Sequence, residues 1–109
     1  MPVRKNKYRN IRSRIDGFTF DSKLEAKRYG ELKLLQKAGE IRDLEVHPRF
    51  PLHVKGVPIC TYVADFSYHD PRGTLQVEDA KGVITAVYRI KKKLMSVVWG
   101  IEVVEIREG

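Results

Sequence analysis

The segment that decides the fold spans residues 62–82 and reads YVADFSYHDPRGTLQVEDAKG. It contains two runs rich in β-forming residues, and the intervening residues 69–73 are typical of a turn. We therefore expect two strands that are consecutive in the chain, one within residues 59–68 and one within residues 75–81. Each of these predicted strands carries acidic residues, and these are the first candidates for a functional site.

The flanking sequence adds two helices and two further strands. In chain order, the predicted elements are a helix, three strands, a second helix and a closing strand, over residues 22–38, 44–54, 59–68, 75–81, 84–98 and 101–106. Gly39 is a natural cap for the first helix, and Pro48 and Pro51 interrupt the first strand. The predicted fold class is therefore α/β, with an α-β-β-β-α-β order and three strands in meander order.

The N-terminal segment is strongly basic. Residues 1–14 contain no acidic residue and six basic ones, namely Arg4, Lys5, Lys7, Arg9, Arg12 and Arg14. This basic arm is either a solvated tail or a segment that contacts phosphate groups. The Asp16-Gly17 pair that follows predicts a short, tight hairpin. We therefore divide the chain into the arm, residues 1–14, and a single domain, residues 15–109.

The amino-acid composition indicates which kind of protein this is and which kind of partner it binds. The 21 Lys and Arg residues against 14 Asp and Glu give a net charge of +7, which favours an anionic partner, most commonly nucleic acid. Cys60 is the only cysteine, which excludes an intramolecular disulfide and a cysteine-based zinc site. No apolar run approaches the roughly 20 residues that span a bilayer. We expect an intracellular, cytoplasmic protein without a membrane partner.

Asp65, Asp79 and Lys81 stand out for their positions in the predicted strands. Asp65 interrupts an apolar run, where a carboxylate either has a function, lies at a sheet edge or pairs with an arginine. Asp79 and Lys81 are two residues apart, so on a strand their side chains leave the same face. They form either a cross-strand ion pair or part of a site. Glu78 lacks this spacing to Lys81 and is expected near the site or at the surface.

Glu25 has three interpretations. Ser22 and Glu25 have the spacing of a capping box, in which the glutamate reaches back to the start of its own helix. At about 100° per residue, however, Glu25 falls within the apolar arc of that helix, between Leu32 and Tyr29. A carboxylate on this side needs a cation. Either Arg28, which lies in the same arc, or a bound metal ion would meet that need.

The second predicted helix carries consecutive lysines. Lys91, Lys92 and Lys93 form either a solvated face or a surface that contacts phosphate groups, and we prefer phosphate contact for Lys91 and Lys92 if the preceding strand ends in a nuclease site. Tyr88 is expected in the core or close to Lys81. The histidines at positions 47, 53 and 69 have no metal-ligand spacing, and we assign them no role.

A helical glutamate, an aspartate in one strand and an Asp-x-Lys motif in the next together resemble the PD-(D/E)xK nuclease superfamily, whose core has the α-β-β-β-α-β order. The resemblance lies in residues 20–29 (FDSKLEAKRY), 62–66 (YVADF) and 77–82 (VEDAKG), followed by Tyr88. More narrowly, these segments are similar to a small phage family classed as a domain of unknown function, over roughly residues 7–106. The proline that often precedes the first motif aspartate is Ala64 here.

The resemblance implies a restriction-endonuclease-like core, in which helices flank a mixed sheet, and a metal-dependent endonuclease that hydrolyses DNA phosphodiesters. It implies that Glu25, Asp65 and Asp79 bind Mg²⁺ or Mn²⁺ together with a carbonyl such as that of Ala80, and that Lys81 assists catalysis. These residue types suit the chemistry, because hydrolysis of an anionic phosphodiester needs cations and Mg²⁺ prefers oxygen ligands.

The substrate and the assembly follow from analogy. A nuclease this small has no room for a separate sequence-reading domain, so branched or junction DNA in recombination or replication is the expected substrate. Such nucleases often cut as dimers, which makes a homodimer a possible assembly. The alternative is a nucleic-acid-binding accessory protein that keeps the nuclease fold but does not cleave.

Overall fold

The computed structural model describes residues 12–108, which form two helices and eight strands. In chain order the elements are β1 (Ser13–Ile15), β2 (Phe18–Phe20), α1 (Lys23–Lys37), β3 (Arg42–Val46), β4 (Arg49–Val54), β5 (Val57–Val63), β6 (Phe66–His69), β7 (Leu75–Ala80), α2 (Ala86–Leu94) and β8 (Val104–Ile106). A π-helical segment, Met95–Trp99, continues α2. Neither helix of this part of the chain has the length and apolar character needed to cross a membrane.

A four-stranded mixed sheet forms the centre of the fold, in the order β3-β6-β7-β8. Strands β3, β6 and β7 are antiparallel, whereas β8 pairs with β7 in parallel. Helix α2 lies between β7 and β8 in the chain, as the crossover between parallel neighbours requires. The hairpins β1-β2 and β4-β5 are separate two-stranded sheets. The predicted α/β class, with a mixed sheet and two helices, is confirmed.

The number of strands differs from the prediction. Residues 44–54 and 59–68 each form two strands, which divide at Pro48 and at Asp65. The inner halves, β4 and β5, pair with each other and interrupt the meander of β3, β6 and β7. His47 has a φ of +55°, and Pro48 has no N–H to donate to a ladder, so β3 cannot continue straight into β4.

Local signals identified the limits of α1 and of the first hairpin correctly. Ser22 Oγ accepts a hydrogen bond from Glu25 N at the start of α1. Gly39, with φ +82°, follows the end of the helix, as a left-handed glycine cap does. In the hairpin, Asp16 and Gly17 have φ values of 53° and 84°, and two positive φ angles are what a type I′ turn needs.

Apolar clusters cover both faces of the central sheet. The cluster that includes α1 contains Phe20, Tyr29, Leu32, Ile41 and Phe66. The cluster that includes α2 and the β4-β5 hairpin contains Phe50, Leu52, Tyr62, Ala64, Val77, Tyr88, Met95 and Val103. Because neighbouring residues of a strand point to opposite faces, Val77 and Asp79 of β7 lie on the α2 side. Glu78 lies on the α1 side, where Arg28 binds it.

Candidate functional site

Strand register sets three candidate ligands in one row across the sheet. The next step beyond the β3-β6 pairs sets His47 opposite Asp65, and a hydrogen bond from His47 N to Asp65 O joins them at 2.9 Å. The β6-β7 ladder ends at the Phe66-Glu78 pair, and just beyond it Asp65 N donates to Glu78 O at 3.2 Å, which brings Asp65 beside the end of β7, close enough to feel the charge of Asp79. Opposite residues of antiparallel strands are neighbours on one face. Of the two predicted ligands, Asp79 lies in a strand as expected, whereas Asp65 lies at the junction between β5 and β6, with His47 beside it.

Glu25 approaches this row from the N-terminus of α1. Its Oε1 accepts a hydrogen bond from Asp21 N at 2.8 Å, so the glutamate does reach back to the helix start, one residue further than in a capping box. Its carboxyl group also lies against that of Asp65. One ligand atom each from Glu25, His47 and Asp65 lies within 4.8 Å of the other two. Glu25 therefore combines a capping contact with a place in a potential metal site.

The Asp65 carboxyl group is in an environment that opposes its ionisation. Burial, contact with Glu25 and the charge of Asp79 raise the pKa of Asp65 well above its usual range, although the hydrogen bond from Ala80 N, at 2.7 Å, acts in the opposite direction. Within residues 12–108, no ion pair includes Glu25 or Asp65. The two adjoining carboxyl groups therefore need either a proton or a bound cation.

Asp79 and Lys81 lie together on the α2 side of the sheet. Lys81 Nζ is 3.7 Å from Asp79 Oδ2 and 4.3 Å from the centroid of the Tyr88 ring. Tyr62 donates a hydrogen bond to the same Asp79 oxygen, and Asp79 is only 2% exposed. Among the described residues, no hydrogen bond goes to Asp79 Oδ1. One carboxylate oxygen is thus fixed by Tyr62 and Lys81, and the other has no such partner.

A cleft of about 780 Å³ lies beside these residues, between the start of α1 and the end of β7. Its lining includes acidic and basic residues and the last residue of β7, among them Arg12, Lys23, Glu25, Ala80 and Lys81. Asp65 and Asp79 do not line it. The cleft gives an external ligand access to Glu25, Ala80 and Lys81 of the predicted site.

Arg28 binds Glu78 and not Glu25. Its Nε and Nη2 atoms donate to the two carboxylate oxygens of Glu78, both at 2.8 Å, and Nη1 donates to Glu31 at 3.0 Å. Glu78 is 2% exposed, so of the two positions expected for this residue, near the site or at the surface, the surface position is wrong. The Glu78 carboxylate raises the pKa of Arg28. Arg28 is therefore not the cation that meets Glu25.

The basic arm lies largely outside the described residues, which begin at position 12. Arg4, Lys5, Lys7 and Arg9 fall in that undescribed segment. Arg12 forms an ion pair with Asp21 at 3.3 Å and lines the cleft. Arg14 is exposed on β1, which begins at Ser13. The last residues of the predicted arm thus belong to the first hairpin.

The two lysines of α2 that were predicted to contact phosphate groups bind other groups of the protein instead. Lys91 Nζ donates to Thr61 O at 3.2 Å, and Lys92 Nζ pairs with Glu105 at 2.9 Å. Both lysines are half-buried. The exposed basic side chains of α2 are Arg89 and Lys93, so these two residues are better placed to meet a polyanion than the two that were predicted.

The sequence also matches a protein family. A family model described as "Protein of unknown function (DUF1064)" matches residues 5–103. The chain belongs to the DUF1064 family. The match covers the three segments that carried the resemblance, and it confirms the expected membership of a family of unknown function. No curated protein and no solved structure gives a significant match.

Two residues of this DUF1064 protein that lie beside Asp65 and Asp79 were not predicted to belong to the site. His47 has no metal-ligand spacing along the chain, and Tyr62 lies in an apolar run that suggests only a core position. The pairing of β3 with β6 brings His47 to Asp65, and the hydroxyl of Tyr62 reaches Asp79 from β5. Strand pairing identifies His47, whereas Tyr62 is identified only by the packing of the β4-β5 hairpin against the central sheet.

We expect the Asp65→Asn variant of this DUF1064 protein to melt at or above the wild-type temperature in excess chelator near pH 8. Folding raises the pKa of Asp65, so the stability of the folded state decreases as the pH rises above the ordinary aspartate pKa. Every tenfold difference in proton affinity between the folded and unfolded states is worth about 1.4 kcal/mol, which corresponds to roughly 5 °C or more in Tm. The difference should shrink near pH 4, where the folded wild type keeps Asp65 protonated.

Asp79→Asn is the matched comparison for this prediction. It replaces a carboxylate that Tyr62 and Lys81 already stabilise, so it should not raise the Tm. Thermal melts of the three proteins between pH 4 and pH 8 provide the measurement. A lower Tm for Asp65→Asn than for the wild type at pH 8 would contradict the unfavourable charge at Asp65.

Proposed function

We propose that this DUF1064 protein is a metal-dependent endonuclease that hydrolyses DNA phosphodiesters. The observation that carries the proposal is the meeting of Glu25, Asp65, Asp79 and Lys81 at one end of the central sheet. These residues come from α1, the β5-β6 junction and the end of β7. A cluster of carboxylates with one lysine suits phosphodiester hydrolysis, which needs cations at the phosphate and a group to position water.

The order of the elements supports a restriction-endonuclease-like core. With the two hairpins set aside, α1, β3, β6, β7, α2 and β8 follow the α-β-β-β-α-β order. The acidic residues stand where the antiparallel strands β6 and β7 meet, and the basic helix α2 follows directly after the Asp-x-Lys motif. The order of the core elements and the positions of the acidic residues therefore both support the resemblance to the PD-(D/E)xK nuclease superfamily.

Mg²⁺ or Mn²⁺ is the proposed cofactor, and the donor set fits such an ion. Glu25 and Asp65 bring adjoining carboxyl groups that no ion pair of the described residues neutralises. Asp79 offers its Oδ1, and Ala80, whose carbonyl is the proposed fourth ligand, borders the cleft. Hard divalent cations prefer such oxygen ligands. A bound ion would supply an activated water and stabilise the charge that develops on the phosphate.

Lys81 is the proposed catalytic lysine. Asp79 and the face of the Tyr88 ring hold its ammonium group, and its side chain borders the cleft. From there it can donate a hydrogen bond to a phosphate oxygen or orient the attacking water. Tyr62 fixes the Asp79 carboxylate that positions the lysine. The net charge of +7 attracts DNA to this surface.

A nucleic-acid-binding protein that does not cleave is the second candidate. The contact of Asp79 Oδ2 with Tyr62 and Lys81 favours it, because a buried ion pair of this kind also occurs in purely structural settings. The two candidates differ in one observable, because only the first requires a divalent cation to change the covalent structure of DNA.

A cleavage panel tests the proposal. Single-stranded, duplex, flap and four-way junction DNA are incubated with the protein in Mg²⁺, in Mn²⁺ or in excess chelator. We expect cleavage of at least one substrate, with branched DNA preferred, in either metal and none in chelator. Paired cuts in a junction would indicate a homodimer. Binding without cleavage in both metals would favour the second candidate, and cleavage in chelator would exclude the metal mechanism.

A further inference from the structure

We propose that His47 is an additional ligand of the metal ion and that it makes the site select Mn²⁺ over Mg²⁺. This inference rests on the proposed function and names the cation that the site prefers. It concerns a residue whose position along the chain suggested no role, and which tertiary structure alone brings to the carboxylates.

The first step of the argument is geometric. A ring nitrogen of His47 and carboxylate oxygens of Glu25 and Asp65 lie within 4.8 Å of one another, so a single ion between them can reach all three donors. The three residues come from separate elements: α1, the β3-β4 connection and the β5-β6 junction. Convergence of three donors from three elements is what a metal site requires.

The second step concerns what holds His47 in place. Its backbone N–H donates to Asp65 O at 2.9 Å, which ties the histidine to a carboxylate ligand through the main chain. Its ring lies 6.0 Å from that of Phe20, measured between centroids. Within residues 12–108, the side chain of His47 makes no hydrogen bond or ion pair. The main chain of His47 is therefore held beside Asp65, and the exposed imidazole keeps its nitrogens free to bind.

The third step is the chemistry of the donor set. Mg²⁺ favours an all-oxygen shell, whereas imidazole nitrogen suits the later divalent metals, and Mn²⁺ accepts carboxylate oxygens as well. A site that adds one imidazole to its carboxylates therefore binds Mn²⁺ more tightly than Mg²⁺. The carboxyl groups of Glu25 and Asp65 supply the charge that draws in any divalent cation, and His47 supplies the selectivity.

The test is to titrate the full chain with Mn²⁺ and with Mg²⁺ and to record the electron spin echo modulation of the bound Mn²⁺. The variant is His47→Asn, because asparagine also tolerates positive φ. His53→Asn is the matched control, since His53 is an exposed histidine on β4. We expect ¹⁴N modulation from imidazole in the wild type and in the control and its loss in His47→Asn, with Mn²⁺ affinity falling about tenfold or more and Mg²⁺ affinity changing by less than about twofold.

The outcomes separate the inference from the proposed function. Mn²⁺ binding without ¹⁴N modulation, or equal losses of Mn²⁺ and Mg²⁺ affinity in His47→Asn, would overturn the role of His47 and leave the nuclease proposal standing. Failure of the wild type to bind either metal would overturn both. His47→Asp, which restores a charged oxygen donor at the same position, should recover metal binding while removing the preference for Mn²⁺.

Discussion

Asp65→Ala is expected to abolish metal-dependent DNA cleavage, with a loss of at least about 10³-fold in rate. Asp65 lies between the other acidic residues, since its carboxyl group contacts that of Glu25 and is close enough to Asp79 for the charge of Asp79 to raise its pKa. The same carboxyl group accepts a hydrogen bond from Ala80 N. Its removal takes away a proposed metal ligand and loosens the link between α1 and β7. Initial rates on the best substrate of the cleavage panel provide the measurement, with circular dichroism to verify folding.

Further variants measure how much the other residues of the site contribute to cleavage. Asp79→Asn and Lys81→Ala should each reduce cleavage by about 10²-fold or more, because one changes a proposed metal ligand and the other removes the proposed catalytic ammonium group. DNA binding, followed by gel shift, should persist in all of them, since Asp79→Asn removes no positive charge and Lys81→Ala removes only one of the 21 Lys and Arg residues. Glu40→Gln is the matched control, because Glu40 is an exposed acid near the opposite end of α1 from Glu25.

Glu25→Gln separates the two roles of Glu25. Glutamine can still accept the hydrogen bond from Asp21 N, so the cap and the stability of α1 should change by less than about 1 kcal/mol. The neutral amide binds a cation more weakly than a carboxylate does, so the cleavage rate of Glu25→Gln should fall as it does in the other variants. Full cleavage activity in Glu25→Gln would show that Glu25 serves only to cap α1. Full cleavage activity in Asp65→Ala would refute the proposed site.

Arg28→Ala is expected to destabilise the protein by about 3–5 kcal/mol, because it leaves a buried carboxylate without its cation. Glu78 is 2% exposed and receives two hydrogen bonds from the Arg28 guanidinium, both at 2.8 Å. Tyr68 donates to the same carboxylate, and burial together with this contact raises the pKa of Tyr68 to about 12. For a domain of this size the loss corresponds to a fall in Tm of at least about 10 °C.

Two further variants test whether the uncompensated charge is the cause. In Arg28→Ala/Glu78→Gln the buried charge is gone and Tyr68 keeps an acceptor, so at least half of the lost stability should return. Glu31→Gln removes the exposed partner of Arg28 and should change stability by no more than about 0.5 kcal/mol. Equal melting temperatures for Arg28→Ala and for the double variant would show that lost packing, and not the charge, accounts for the effect.

Local chemistry determined the parts of the fold that depend on residues close in the chain. The cap at Ser22, the left-handed Gly39 and the Asp16-Gly17 turn were predictable because each involves a few consecutive backbone groups. The two-residue period of a strand was sufficient to put Asp79 and Lys81 on the same face. The α/β class followed in the same way, because helix and strand periods can be read within single segments.

Only the tertiary structure decided which of these segments meet. Arg28 could have paired with Glu25 by helix geometry, but β7 brings Glu78 to its guanidinium across 50 residues. The alignment of β3 with β6 carries His47 to Asp65, and β5 carries the hydroxyl of Tyr62 to Asp79. A shift of one residue in the β3-β6 register would turn His47 to the other face, whereas the Tyr62 contact depends on how the β4-β5 hairpin packs against the central sheet. The sequence by itself therefore determined the kinds of residue available to the site, and strand pairing together with the packing of α1 and of the β4-β5 hairpin determined which of them converge.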